Sequence, residues 1–365
     1  MHICFVTIGD IKELATTKRA LGLANVLHEL GWEVSIIIQD ANENRIRVNL
    51  ECNKYIKILY FKKSNFLGEL LQKNELIKIA NPSVIYYTSF SIRNMVGFFH
   101  TSIKLVEHSE LTSKIADASK IRQLQALLIE NISVYFADAL ICASKYLVNV
   151  FEERKKILFA TKTKIFYSPY AYNSSLLKNF ASESISNTPV LTLLFIGSLV
   201  KNYGLMTLLH AMKNVVKHTD KIKLILVGKG ANEVEARKFI HDNQLEDFII
   251  MKGYIAEDEL DNLFAGADIF LAPLNDSIQD WARCPSKLFM YLPYNKPVFT
   301  CRIGEALEIF GENGFYFDNN NPESLANLIL NYNKTNIYTL PNPKHHTWDY
   351  RGKLLSNWVL ENFKS

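Results

Sequence analysis

The chain has 365 residues, 48% of them hydrophobic and 21% charged, with a formal net charge of +4. That is long for one domain and comfortable for two, each with enough apolar material for its own core. So small a positive excess argues against a dedicated nucleic-acid binder, which needs a strongly basic stripe, and fits a protein that handles phosphorylated ligands or lies near anionic lipid.

The chain opens on a strand. Ile3 to Thr7 is an apolar run ended by Gly9-Asp10, and it lacks the basic leader and cleavage site of a signal peptide. A helix follows, with Ala20, Leu23, Ala24, Leu27 and Leu30 on one face and Gly31 where a C-terminal glycine belongs. Val34 to Ile38 is then a β-branched strand. Continuous apolar strands alternating with amphipathic helices signal a parallel sheet covered on both faces. Further strands are expected at Ile56 to Phe61, Val84 to Thr88, Ile103 to Glu107 and Ala139 to Cys142, the last preceded by a helix carrying Leu124, Leu127, Leu128 and Val134.

Residues Ala181 to Val190 are small and polar and read as a linker. The α/β rhythm then restarts. Strands are expected at Leu191 to Phe195, Lys223 to Val227, Ile249 to Met251 and Ile269 to Ala272, with a further strand at Val298 to Thr300. Helices are expected around Leu205 to Met212, over Glu257 to Ala267, from Pro285, and from Asn321-Pro322-Glu323; His346 to Phe363 forms a final amphipathic helix. The fold class is thus α/β, two Rossmann-like units in tandem. The five cysteines, Cys4, Cys52, Cys142, Cys284 and Cys301, have no CxxC spacing and no accompanying histidines, so neither a zinc site nor a disulfide framework is indicated and a reducing, cytoplasmic setting is expected. No apolar run approaches the roughly 20 residues of a membrane helix.

Four segments carry chemistry. Pro285-Ser286-Lys287-Leu288-Phe289 places Pro285 at a first helical position behind the poor cap Cys284, so that backbone N–H groups and Lys287 can meet an anion; the plainer reading is an ordinary helix start. Gly197-Ser198-Leu199 with Lys201 and Gly204 follows a strand, where open α/β sheets bind ligands, although a tight turn with one solvated lysine is the commoner case. Val227-Gly228-Lys229-Gly230 invites a dinucleotide reading, but Glu233 stands where GxGxxG requires its third glycine. His108 ends a strand of the first unit, where it either contacts substrate hydroxyls or serves as a hydrogen-bonded structural histidine.

Taken in order, these pieces resemble the GT-B glycosyltransferases, specifically the large retaining group 1 (family 4-like) set that includes bacterial polysaccharide and lipopolysaccharide enzymes. Leu30-Gly31-Trp32-Glu33-Val34 is similar to the family's "GHEV" turn, and Ala137-Asp138-Ala139-Leu140-Ile141-Cys142-Ala143-Ser144 to its "AD-x-(I/V)-x-x-S" strand. Gly197-Ser198-Leu199 with Tyr203-Gly204 resembles "G-x-L…KG", and Val227-Gly228-Lys229-Gly230 resembles "VG-x-G". Pro285-Ser286-Lys287-Leu288-Phe289 with Lys296-Pro297-Val298 resembles "PSKLFEYLAAGKPV".

The resemblance implies two Rossmann-like domains facing a cleft, an acceptor domain over 1–178 and a donor domain over 190–346, with a C-terminal helix (347–365) crossing back to the first. It implies transfer of a hexose or N-acetylhexosamine from a nucleotide-sugar, UDP-linked before GDP-linked, to a saccharide or lipid-linked saccharide, with retention and with neither metal nor cofactor. Lys287, Lys201 and His108 would be catalytic, with His108 facing the transferred sugar. Ser286, Leu288, Gly197 and Ser198 would meet the donor phosphates, Gly228 and Tyr254 would lie near the base, and Gly9 and Lys18 would serve the acceptor.

The chain also departs from the family pattern. The two glutamates the family often carries are Ala282 and Met290 here, and Asp280 or Arg283 stands as an alternative contact to the sugar. That substitution keeps three rivals open: a non-catalytic nucleotide-sugar-binding protein, a sugar-nucleotide epimerase, and, disfavoured by its broken motif, a dinucleotide oxidoreductase. Lys62 to Leu67 and Arg93 to Phe99 mix basic with large apolar residues. They read either as a peripheral membrane contact or, more commonly, as part-buried core with snorkelling lysines.

Overall fold

The computed structural model describes residues 1–11, 15–116, 118–176, 190–255, 259–333 and 342–363; the expected linker over Ala181 to Pro189 and the expected helix start at Glu257 lie outside them. The described residues form two compact units. The first comprises Met1–Ser174, Trp281–Cys284 and Lys344–Ser365, the second Ser175–Asp280 and Pro285–Pro343.

The elements of the first unit run β1 (His2–Val6), α1 (Ala15–Glu29), β2 (Glu33–Gln39), α2 (Asn42–Glu51), β3 (Lys57–Phe61), α3 (Phe66–Ala80), β4 (Val84–Tyr87), β5 (Ile103–His108), α4 (Lys120–Phe136), β6 (Ala139–Cys142), α5 (Lys145–Ile157) and β7 (Lys164–Tyr167). The second unit follows with β8 (Leu191–Ile196), α6 (Leu205–Val215), β9 (Ile222–Val227), α7 (Glu233–Asp242), β10 (Ile249–Gly253), α8 (Asp261–Gly266), β11 (Ile269–Ala272), α9 (Ile278–Ala282), α10 (Ser286–Tyr291), β12 (Val298–Thr300), α11 (Glu305–Phe310), β13 (Phe315–Tyr316) and α12 (Pro322–Leu330). The last element, α13 (Trp348–Phe363), returns to the first unit.

The first sheet has the order β3-β2-β1-β4-β5-β6-β7 and the second β10-β9-β8-β11-β12-β13. Every pairing in both is parallel. Each order reverses direction beside its first strand, which is the Rossmann arrangement and places ligands beyond the C-terminal strand ends. The strands are near-continuous apolar runs because both faces are covered. In β1 all five residues are buried.

The helix ends follow their local chemistry. After α1 the backbone turns left-handed at Gly31 (φ 85), whose N–H donates to His28 O while that of Trp32 donates to Leu27 O. That pair of bonds is a Schellman closure, as the glycine led one to expect. Asn321 caps α12, accepting from the N–H groups of Glu323 and Ser324, with Pro322 in the first turn. The C-terminal helix α13 packs on α1: Trp32 Nε1 donates to Ser356 Oγ at 2.9 Å, and Trp348 is buried in the cluster that contains Ala20, Leu23 and Leu27.

Helix α4 lies where the sequence placed it; its Leu124, Leu127 and Leu128 are exposed, and its buried side consists of Glu130, Ser133 and Val134. Two expectations need correction. Pro285 is the cap of α10, not its first residue, and α10 is only six residues long. Leu67, Phe98 and Phe99, expected as part-buried core, are exposed.

A buried ion pair ties α1 to the sheet. Arg19 Nε lies 2.7 Å from Glu107 Oε1, with both side chains almost wholly inaccessible. Arg19 Nη1 also donates to Ser168 O at 2.6 Å, and Tyr86 Oη donates to Glu107 Oε2 at 2.9 Å. Removing one partner of such a pair strands the other charge. Arg19→Ala is expected to cost about 3–5 kcal/mol in a chemical-denaturation titration. Arg19→Ala together with Glu107→Ala should cost markedly less than the sum of the single variants.

Candidate functional site

The second unit concentrates its glycines at the ends of β8 and β9. Gly197 N–H donates to Val227 O at 3.0 Å, and Leu199 N–H donates to Lys229 O at 3.0 Å, so the two turns run side by side. Gly228 (φ 136) lies so close to its neighbour that a β-carbon there would overlap Gly197 O well inside contact distance. Only glycine permits this approach and this backbone angle. The result is a shallow floor of bare backbone beyond two adjacent strands.

Helix α10 brings Lys287 onto that floor. Its Nζ lies 3.1 Å from the point where a β-carbon on Gly197 would stand. The ammonium sits over the ring of Phe195 at 4.5 Å and that of Tyr203 at 5.3 Å. Two aromatic faces thus hold a cation in place, an arrangement worth about 0.5–2 kcal/mol. Position is secured further along the helix: buried Tyr291 accepts from Ile196 N–H at 3.0 Å and donates to Leu271 O at 3.3 Å. Burial raises the Tyr291 pKa, so its hydroxyl keeps the proton that makes the second bond. Tyr203 and Tyr291 both help to set Lys287; Tyr291 was not named from the sequence, and Tyr203 was named only as part of the Tyr203-Gly204 motif. Tyr203 stands where the family's lysine is common, which was its only signal.

The remaining donor-side residues divide. Gly197, Gly228 and Lys287 come together. Ser198 is exposed on the same turn, and Ser286 opens α10. Leu288 is core, with its N–H donated to Pro285 O at 3.1 Å. Lys201 is directed elsewhere: its Nζ lies 3.0 Å from Glu235 on α7, and its backbone N–H donates to Asn232 Oδ1. That lysine lowers the pKa of Glu235 and holds it ionised. Tyr254 is exposed just beyond β10. Asp280 is buried and accepts from Asn275 N–H at 2.6 Å, so its carboxylate braces its own loop. Met290 is half-buried on α10.

Arg283 belongs to the first unit, where its charge opposes the rise in the Glu110 pKa that burial causes. Gly9 (φ 62) accepts from Asn44 Nδ2 at 3.2 Å, and the fully buried Asn44 also accepts from Ile11 N–H, which fixes the loop after β1. Lys18 is half-buried on α1 beside Arg19. His108 is buried, with its ring on Phe151 at 4.3 Å and its Nε2 2.8 Å from Ser133 Oγ. The Ser133 hydroxyl donates to Glu130 O at 2.7 Å, so Nε2 carries the proton and donates to Ser133. Burial, aided by Arg154, pushes the His108 pKa down to about 3. His108 is therefore neutral at ordinary pH. Among the described residues no three or more His, Cys, Asp or Glu side chains group as metal ligands.

The arrangement, two Rossmann-type sheets with a lysine-bearing helix beyond the strand ends of the second, is that of the GT-B fold. Residues 190–334 match the family described as "Glycosyl transferases group 1", in line with the sequence resemblance. No curated protein matches by sequence. Similar solved structures include HepE of Anabaena in complex with UDP, at 16% identity, TM-score 0.67 and coverage of 98% of this chain and 95% of that one. Sucrose-phosphate synthase of Thermosynechococcus elongatus is similar at 18% identity and TM-score 0.72, covering 100% and 99%. The pneumococcal O-GlcNAc transferase GtfA, in complex with UDP and GlcNAc, is similar at 11% identity and TM-score 0.75, covering 100% and 99%.

Two outcomes are expected. Gly228→Ala should destabilise the second unit, because the new carbon has no room beside Gly197 O; a lowered midpoint in thermal unfolding checks it. His108, depressed in the folded state, favours folding above pH 6.5, its ordinary pKa. That contribution falls as pH drops from there toward about 3, because the unfolded chain takes up the proton first. Between pH 6.5 and pH 5 the wild type should lose roughly 1–2 kcal/mol more stability than His108→Gln in denaturant titrations.

Proposed function

We propose that the protein transfers a hexose or N-acetylhexosamine from a UDP-sugar to a saccharide or lipid-linked saccharide acceptor, with retention of configuration and without a metal ion. The observation that carries this reading is Lys287, held between Phe195 and Tyr203 over the bare backbone of Gly197. A nucleoside diphosphate laid on Gly197 and Gly228 brings its phosphates to that ammonium.

As the sugar–phosphate bond breaks, negative charge grows on the leaving diphosphate while the sugar becomes cation-like. A fixed cation and fixed amide dipoles stabilise that charge with little reorganisation. The two lysines divide this work unequally, because Lys201 is engaged with Glu235 and Lys287 faces the floor. His108, neutral and donating to Ser133, offers no proton near neutral pH and serves by shape and by its remaining ring nitrogen. UDP in the complexes of HepE and GtfA supports uracil as the base. Met290 stands where the family often carries a glutamate, so any donor contact from that position is apolar here.

Calorimetric titration with UDP, GDP and ADP in the absence of divalent metal tests the reading. Selective micromolar binding of UDP is expected. Lys287→Ala should lower the transfer rate about 10²–10³-fold, the effect of losing one preorganised donor. EDTA should leave transfer unchanged. A strong loss with EDTA refutes the metal-free account, and failure to bind any of the three nucleotides refutes the donor assignment.

A further inference from the structure

Three contacts join the turn after β8 to the first turn of α7. Lys201 Nζ lies 3.0 Å from Glu235 Oε1, Lys201 N–H donates to Asn232 Oδ1 at 3.0 Å, and Asn232 Nδ2 donates to Glu235 Oε2 at 2.9 Å. The other acid of that helical turn, Glu233, is paired with Arg237 at 2.9 Å. Asn232 N–H also donates to Leu199 O at 3.1 Å. Asn232 therefore holds the backbone of the turn whether or not the two charges meet.

The ammonium itself is held loosely. The Lys201 side chain is 59% exposed and that of Glu235 44%. An ion pair so open to water contributes little, and breaking it costs little. Glu235 would keep its bond from Asn232 and regain water. The turn that carries Lys201 meets Lys287 through residues on either side of it. A β-carbon on Gly197 would stand 3.1 Å from Lys287 Nζ, and the ring of Tyr203 lies 5.3 Å from the same atom. Lys201 stands between these two in the chain, on a flexible four-carbon stem. Exposed side chains change rotamer within nanoseconds. A swing of this side chain, with the backbone at rest, carries its charge from α7 toward Lys287. Two ammonium groups repel one another there unless an anion lies between them. A diphosphate, with more than one negative charge, draws Lys201 more strongly than a single carboxylate does.

We propose that Glu235 sets the affinity for the donor, holding Lys201 on α7 in the free protein and yielding it to the diphosphate of a bound nucleotide-sugar. This rests on the transfer reading, and Glu235 acts in it as a positioning residue that does not touch the donor.

Calorimetric titration with UDP, and with inorganic pyrophosphate, which carries the charge without the base, tests it. Glu235→Gln can keep the bond from Asn232 while releasing the ammonium. It should bind both ligands about two- to five-fold more tightly than the wild type, the range that an exposed pair can yield. A residue that merely braced the fold would lower affinity when changed. Lys201→Ala should weaken both ligands, and adding Glu235→Gln to it should restore nothing, because the gain acts through Lys201. Unchanged or weaker binding by Glu235→Gln overturns the proposal. So does a gain of the same size in the Lys201→Ala background, which would be the bare effect of removing a negative charge. Wild-type protein that binds neither ligand overturns it together with the donor assignment. If pyrophosphate shows the gain and UDP does not bind, the nucleotide assignment alone fails and the role of Glu235 stands.

Discussion

The second unit depends on one steric fact: the backbone of Gly228 lies against the carbonyl of Gly197. No side chain fits between the turns after β8 and β9, so the two are drawn into a single exposed surface of peptide dipoles. Lys287 is then placed over that surface. Tyr291 fastens α10 to the end of β8, and the fastening brings Lys287 over Gly197. The ammonium there rests over the rings of Phe195 and Tyr203.

The same unit shows how one lysine can be removed from such a role. Lys201 sits on the turn that sequence order would assign to phosphate, yet Glu235 on α7 claims it. Both groups are solvent-exposed, and such pairs contribute little to stability. Its effect is directional, setting where one ammonium points.

Much of the fold was legible because the strands of covered parallel sheets are plain apolar runs and their helices end on recognisable residues. Gly31 and Asn321-Pro322 marked two helix ends correctly. What was missed has specific causes. Strand β7 is a half-buried edge of four residues, Lys-Ile-Phe-Tyr, too short to show a period. Helix α3 hides its inward face because buried Glu69 and Lys73 neutralise one another there, a pairing no periodicity reveals. For α4 the leucines mark the helix but not its orientation, since an apolar stripe says that one face differs without saying which way it points. At the site, the glycines and Lys287 could be named from their order along the chain. The engagement of Lys201 could not, because its partner lies 34 positions away on another helix.

The pairing of Arg19 with Glu107 carries a consequence for heat. Stripping water from ions becomes less unfavourable as temperature rises, whereas the gain from burying apolar surface levels off. The anchor of α1 on the first sheet therefore strengthens, relative to the surrounding core, as the protein is warmed. On heating, loosening should begin at elements held by apolar contact alone, and the junction of α1 with β5 should be among the last parts of the first unit to open.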